Sequence, residues 1–238
     1  MLTYRTKGAT RPVAEGVTAP QHGVLAAVLK SDGPEVPTCV YNELTASRLG
    51  ALIELPAALG VLATGDGTTR YASLVASTGA ARLPVGTRRL ASRIAARYPF
   101  ESAGLLVFDS FIGNWDRPGN IKMALGTRNW FFCAYDHSHA LLTAAATPEA
   151  SIEQLRAGSL PGRPHLFAGA AKPADAHVWV DRLQTLPDAL LRRACCPGGP
   201  VNEVDESLQH QLADALLARR DQLADIVARA FILPDAAP

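Results

Sequence analysis

The sequence has no excess of charge of either sign: 23 Lys and Arg against 22 Asp and Glu leave a formal net charge of +1. Nothing in its bulk electrostatics draws it to nucleic acid or to an anionic membrane. Its four cysteines, at 39, 133, 195 and 196, follow no zinc-type spacing. Cys39 and Cys133 sit in apolar runs that predict buried free thiols. The vicinal pair Cys195-Cys196 precedes Pro-Gly-Gly-Pro in an expected loop and is a poor disulfide. No apolar run reaches the length of a membrane span, the opening MLTYRTKGATRPV has no hydrophobic signal-peptide core, and no internal repeat is visible. The expectation is a cytoplasmic protein in a reducing compartment, with neither nucleic acid nor membrane as partner. The absence of a G-x-x-x-x-G-K-[ST] stretch removes the P-loop folds. What remains is a chain of 238 residues, 48% hydrophobic and 19% charged, long enough for a substantial core and too apolar for disorder.

Chemistry concentrates in residues 109–139. Asp116 and Asn120 share a short turn with Pro118 and Gly119, and Asp136 ends the apolar run 130–135. Residues 121–125 and 130–135 flank Gly126-Thr127-Arg128-Asn129, a pattern that predicts a hairpin. Such a hairpin returns Asp136 to the Asp116 turn. One carboxylate is then free to meet a substrate hydroxyl, while an amide and a second carboxylate can hold Mg²⁺. That ion takes oxygen ligands, few of them from protein, and completes its shell with phosphate oxygens. Phosphoryl transfer needs this equipment. Residues 101–112 are expected to form the helix that delivers the turn, with Leu105, Phe108 and Ile112 buried and Asp109 as a structural brace. His137 and His139 stand two apart, and no other histidine has ligand spacing, which argues against zinc.

Upstream, residues 24–30 read as one apolar strand closed by Lys30, on the same face as Val24, Ala26 and Val28. Residues 31–38 form a loop, and the helix from Cys39 follows. Thr45, Leu49, Leu52 and Ile53 make one stripe; Glu43, Ala46, Ser47 and Gly50 make another, small enough for close approach with Glu43 projecting into the contact. Taken locally, Lys30 also reads as a surface lysine and Glu43 as a solvated first-turn carboxylate. Pro56 ends the helix, two strands flank Gly65-Asp66-Gly67, and residues 71–75 lead to a hinge near 76–79. Residues 82–100 are expected as a basic helix, with Leu90, Ile94 and Ala95 inward and Arg89, Arg93 and Arg97 on a solvated face. The remainder reads as helical: a short helix at 151–158, a Pro/Gly loop at 159–175, pieces broken by Pro187, and one long helix over 206–231. Leu208, Leu212, Leu216, Leu223 and Val227 lie on one stripe of that helix. The tail 233–238 is expected to fray.

GNWDRPGN followed by YDHSHA resembles the catalytic and metal-binding loops of HipA-like serine/threonine kinases, and more distantly those of phosphoinositide and protein kinases. The motifs cover roughly residues 5–142. The resemblance implies an α+β, two-lobed protein-kinase-like fold: a strand-rich N-lobe with one helix over 1–77, and a larger, mostly helical C-lobe over 78–238. It implies an ATP-dependent kinase that transfers the γ-phosphoryl group to a hydroxyl, most often Ser or Thr of a protein. Asp116 would be the catalytic residue, Asn120 and Asp136 the Mg²⁺ ligands, and Lys30, held by Glu43, the phosphate-binding lysine. Asn42-Glu43 matches the family's Asn-Glu pair. Gly8-Ala9-Thr10-Arg11-Pro12 matches loosely the turn over the ATP phosphates, which makes Gly8, Thr10 and Arg11 nucleotide-binding and Thr10 a site of self-phosphorylation. His137 and His139 would support Asp136.

Two positions depart from the family pattern. Asp116 and Asn120 are four positions apart where five is usual, and Ser138 stands where Gly often follows the metal-binding Asp. These departures keep open a nucleotide-binding pseudokinase or partner-binding module without turnover. A small-molecule or lipid kinase on the same fold is a further alternative. Neither the acceptor, an antitoxin-type partner nor the oligomeric state is legible.

Overall fold

The apolar segment 24–30 changes partner halfway. β1 (Thr6–Pro12) pairs antiparallel with β2 (Gln21–Leu25), and after Ala26 the chain continues as β3 (Ala27–Lys30) in a different sheet. The Ala26 N–H donates to the Arg5 carbonyl at 2.8 Å, and its own carbonyl accepts from Val75 N–H at 2.9 Å. The single strand expected there is thus divided, because successive residues satisfy their backbone groups on two neighbours. β3 pairs with β5 (Thr68–Leu74), which also pairs with β4 (Gly60–Gly65), giving the antiparallel order β3-β5-β4. Asp66 and Gly67 carry φ of 49° and 75° between β4 and β5, as a tight two-residue hairpin turn requires. The computed structural model describes residues 3–13, 21–76, 83–126 and 130–231. Residues 77–79 of the expected hinge, 127–129 of the expected hairpin turn and the tail 233–238 lie outside them.

Helix α1 (Cys39–Leu52) is buried almost throughout, where the sequence pattern separated two stripes. It packs on β4 and β5 and on α6 (Asp188–Cys195), so both stripes meet protein apart from Leu52, which is exposed. Tyr41 Oη donates to the Cys195 carbonyl at 2.8 Å; Cys195, expected in a loop, is the buried end of α6.

The expected helix over 82–100 is shorter. Residues 88–90 make one 3₁₀ turn, α2 covers Ala91–Arg97, and Pro99 opens α3 (Pro99–Ile112). Proline lacks the N–H that would extend the preceding ladder and suits a helix start. Ile94 and Ala95 are buried, and Arg89 and Arg93 exposed; Arg82 lies outside the described residues. α4 (Pro148–Arg156) and α5 (Pro173–Gln184) follow. The last expected helix is two, α7 (Glu206–Asp221) and α8 (Leu223–Ala230). Gln222 between them donates to the carbonyls of Ala218 and Arg156, at 3.1 Å each, and the break lets α8 pack on α3 and α5.

α3 runs through the middle of this body, buried from Ser102 to Ile112. It meets α5 at Gly104, where a Cβ would lie 2.3 Å from Trp179 Cε2. The indole is itself fixed by a 2.9 Å bond from Nε1 to the Phe100 carbonyl. Gly104→Ala is therefore expected to cost about 1–3 kcal/mol by overpacking, read as a lower urea midpoint at unchanged m-value. A wild-type midpoint would show that the α3–α5 contact yields without strain.

Candidate active site

The site starts where α3 stops. Gly113 takes φ 70° at the helix C-cap and donates its N–H to the Asp109 carbonyl. That left-handed residue turns the chain outward into Asn114-Trp115-Asp116. Asp109 is fully buried and holds the turn from behind. Arg117 grips it with two bonds, Nε to Oδ2 and Nη2 to Oδ1, both 2.7 Å. Asn114 Nδ2 donates to Oδ1 at 2.9 Å, and His165 Nε2 meets Oδ2 at 2.8 Å. Burial works to raise the Asp109 carboxyl, but Arg117 and His165 outweigh it and hold it well below the usual carboxylate range. Arg117 Nη1 also reaches the carbonyls of Asn120 at 3.2 Å and Tyr135 at 2.8 Å. One guanidinium thus ties α3, the Asp116 turn and the strand before Asp136 together.

The turn closes in four positions because Gly119 adopts φ 94°. Asn120 Nδ2 donates to the Asp116 carbonyl at 2.8 Å and lies 3.4 Å from Asp116 Oδ2. The Tyr135 hydroxyl fastens the turn from across the hairpin, donating to the Gly119 carbonyl at 2.7 Å. β6 (Ile121–Met123) and β7 (Phe132–Ala134) form the expected hairpin, with Ile121 opposite Ala134. One residue further out, Tyr135 N–H donates to the Asn120 carbonyl at 3.0 Å. Asp136 is the next residue, one step beyond the Tyr135–Asn120 pair in the ladder.

Asp136 is the point where the two halves of the site meet. Lys30 Nζ lies 2.6 Å from Glu43 Oε1 and 2.9 Å from Asp136 Oδ1. Glu43 Oε1 also accepts the His137 N–H at 2.8 Å. Burial pushes the Glu43 carboxyl up, while Lys30 and the His137 amide pull it back; two donors on one oxygen suit an ionised carboxylate. Burial opposes the charge on Lys30, but the two carboxylates more than offset it and raise its pKa. For Asp136, burial is outweighed by Lys30 and Ser138, and the group is held low. Asp136 has φ 60°, a left-handed conformation that Asp tolerates better than most residues. Ser138 stabilises it: its Oγ donates to Asp136 Oδ1 at 2.7 Å and its N–H to the same oxygen at 3.3 Å. The serine at the family's glycine position therefore braces the carboxylate rather than displacing it.

The structure brings Lys30, Glu43 and Asp136 together; Asp116 and Asn120 share the turn that Arg117 ties to the strand before Asp136. Val28 and Lys30, as their shared face implies, line one cleft with Ser73, Ala76, Tyr135 and Asp136. It does not bring Gly8 or Arg11 there: β1 and β2 form their own exposed hairpin, and neither residue lines the cleft. The Thr10 side chain lies outside the described structure. Three supports were not legible in sequence. Arg117 was an ordinary residue of the turn, and His165 belongs to a Pro/Gly loop distant in the chain. Asn42, noted only beside Glu43, is fully buried; it donates to the Ser138 carbonyl and Thr143 Oγ1, at 3.0 Å each, and accepts Leu142 N–H at 3.2 Å. His137 is buried in a T-shaped pair with Phe108, and His139 lies tilted against Trp115 with centroids 4.5 Å apart.

Small antiparallel sheets with one buried helix, carrying a lysine–glutamate pair, beside a helical body carrying a turn and hairpin with two aspartates, define a kinase-like fold. The resemblance to HipA-like kinases holds at the level of that fold. The chain is similar to the Helicobacter pylori proinflammatory kinase CtkA, with a TM-score of 0.59 and 12% identity over 96% of each chain. HipA of Shewanella oneidensis MR-1, solved with HipB and operator DNA, aligns with a TM-score of 0.49 and 14% identity, over 94% of this chain and 68% of that chain. No family model and no curated protein matches the sequence.

Proposed function

We propose that this protein is an ATP-dependent kinase that transfers the γ-phosphoryl group to a hydroxyl, with Ser or Thr of a protein as acceptor. The lobes would be residues 1–77 and 78–238. The observation that carries the reading is Lys30 Nζ set between Glu43 and Asp136 at 2.6 and 2.9 Å. Two carboxylates share one ammonium there, leaving an excess of negative charge that suits a divalent cation. Asp136 and Asn120 supply oxygen ligands of the kind Mg²⁺ takes, and bound Mg²⁺ would neutralise charge on the phosphates. Glu43 keeps Lys30 aimed, so that it can leave Asp136 for a nucleotide phosphate. Asp116 would orient the acceptor hydroxyl and take its proton as the oxygen bonds to the γ-phosphorus and the bridging oxygen departs with ADP. The arrangement works by position and charge rather than by covalent catalysis. Four free cysteines, three of them buried, suit a reducing compartment and support a cytoplasmic setting. Among the described residues no helix is long and apolar enough to cross a membrane.

Millimolar Mg²⁺–ATP is expected to raise the melting temperature by mass action, about 2.7 kcal/mol at a hundredfold excess over Kd. Phosphate transfer to the protein itself, to added protein or to water is the accompanying readout. An unchanged melting temperature in folded protein sinks this reading. The rival reading, a nucleotide-binding module without turnover, rests on the Asp116 carboxylate already meeting the Asn120 amide at 3.4 Å; a melting shift without any transfer would favour it.

A further inference from the structure

Two adjoining hollows, of about 210 and 310 Å³, flank the Asp116 turn and share Trp115, Pro161, Gly162 and Arg163. Together they make a trough across the indole next to Asp116, bounded by Pro118 on one side and Ala144 on the other. Its charge is of one sign. The Arg163 guanidinium lies 5.7 Å from the Trp115 ring centroid, and Arg229 lines the same wall. Among the described residues Arg229 donates to the carbonyls of Gly158 and Asp225, and Arg88 holds the Pro164 carbonyl at 3.1 Å. None of these three arginines has a carboxylate partner among the described residues. Among the described residues the buried Arg219 is likewise bonded to carbonyls, those of Ser110, Leu155 and Ser159. Burial, and to a lesser degree the neighbouring charge of Arg229, depresses the pKa of Arg219 to about 10.

The loop carrying Arg163 is also fixed to the catalytic turn. His165, two residues on, shares the Asp109 carboxylate with Arg117 and Asn114, and its Nδ1 accepts the Phe167 N–H at 3.2 Å. Arg163 is therefore presented at a set position relative to Asp116, exposed and without an acid. An arginine held over an aromatic ring keeps its planar fork available for a carboxylate.

Building on the kinase reading, we infer that this trough is the acceptor groove and that it takes an extended peptide with an acidic side chain near the accepting Ser or Thr, the acid docking on Arg163 and Arg229. Trp115 and Arg117, the residues on either side of Asp116 in the chain, line the trough, and its arginines match an acidic side chain near the accepting hydroxyl. The positive wall selects against basic peptides by the same charge that attracts acidic ones.

An immobilised array of Ser- and Thr-centred peptides, with Asp, Glu, Ala or Lys at each flanking position, tests this with wild type and Arg163→Glu. Binding without nucleotide and phosphate transfer with Mg²⁺–ATP are read separately. Wild type should favour an acidic flank over Lys by roughly tenfold or more, as a desolvated charge pair allows. Arg163→Glu should lose or reverse that preference. Its melting shift with Mg²⁺–ATP, measured alongside, reports that the nucleotide cleft is folded. Transfer without acidic preference, a preference that survives in Arg163→Glu, or no peptide binding at all overturns the groove assignment. Selective binding of acidic peptides with no transfer would instead retain the groove and overturn the kinase reading.

Discussion

Asp136→Asn is expected to lose Mg²⁺–ATP stabilisation and phosphoryl transfer together, whereas Asp116→Asn should lose transfer and keep nucleotide binding. The two aspartates occupy different surroundings. Asp136 is charged and bonded to Lys30 and Ser138, at the end of the cleft lined by Val28 and Tyr135. Removing its charge leaves Lys30 with Glu43 as its carboxylate partner and, on the proposed reading, takes away the anionic ligand of the cation. Asp116 makes no contact with Lys30 among the described residues; it lies in the turn closed by Asn120. Its amide variant keeps that turn and, on the proposed reading, would lose the acceptor for the hydroxyl proton. Orientation and proton transfer by such a group contribute on the order of 10²–10⁴-fold in rate. Melting shifts with Mg²⁺–ATP and single-turnover transfer on both variants separate the roles. Equal transfer by wild type and Asp116→Asn would remove Asp116 from the chemistry and favour the module without turnover.

Arg117→Met should be the most destabilising single change in the site. It leaves Asp109 buried with Asn114 and His165 but without the guanidinium that takes both carboxylate oxygens. Breaking a buried pair from one side costs about 3–5 kcal/mol, because the remaining charge is uncompensated. The pH dependence gives the cause a signature. In the wild type the Asp109 pKa is depressed, so its contribution is complete above the unfolded value near 3.9 and is lost as pH falls through the folded value. In Arg117→Met burial acts without that opposing charge, and the Asp109 pKa moves up. The variant then gains stability, relative to neutral pH, as acid protonates the group. The gap between the urea midpoints of wild type and variant is expected to be widest near neutrality and to narrow toward pH 4. A gap that is small, or equal at both pH values, would mean that Asp109 is not the charge the arginine holds.

The same pair shows where sequence reasoning stops. The 2-residue period ending at Lys30, the helix opening at Cys39 and carrying Glu43, and the hairpin that returns Asp136 to the Asp116 turn all follow from local pattern. Each rests on neighbours a few residues apart, whose backbone preferences and alternation are written in the chain itself. Residues 24–30 failed as one strand because the exchange at Ala26 depends on Arg5 and Val75, which no local window contains. The helix over 206–231 broke for a related reason. Continuous periodicity says which face is apolar, but not that α8 must turn at Gln222 to reach α3.

The sequence by itself therefore determined the strand and helix types that frame the site and the order in which its polar residues arrive. Only the tertiary structure decided that Lys30, Glu43 and Asp136 share one point, that Asp109 takes Arg117 and His165 at once, and that Arg163 stands beside Trp115 with no acid to pair it. These are contacts between residues up to about a hundred positions apart. They exist because burial of α1 and α3 forces distant loops against the same helices, and a buried polar group must then find its partner among whatever those loops supply.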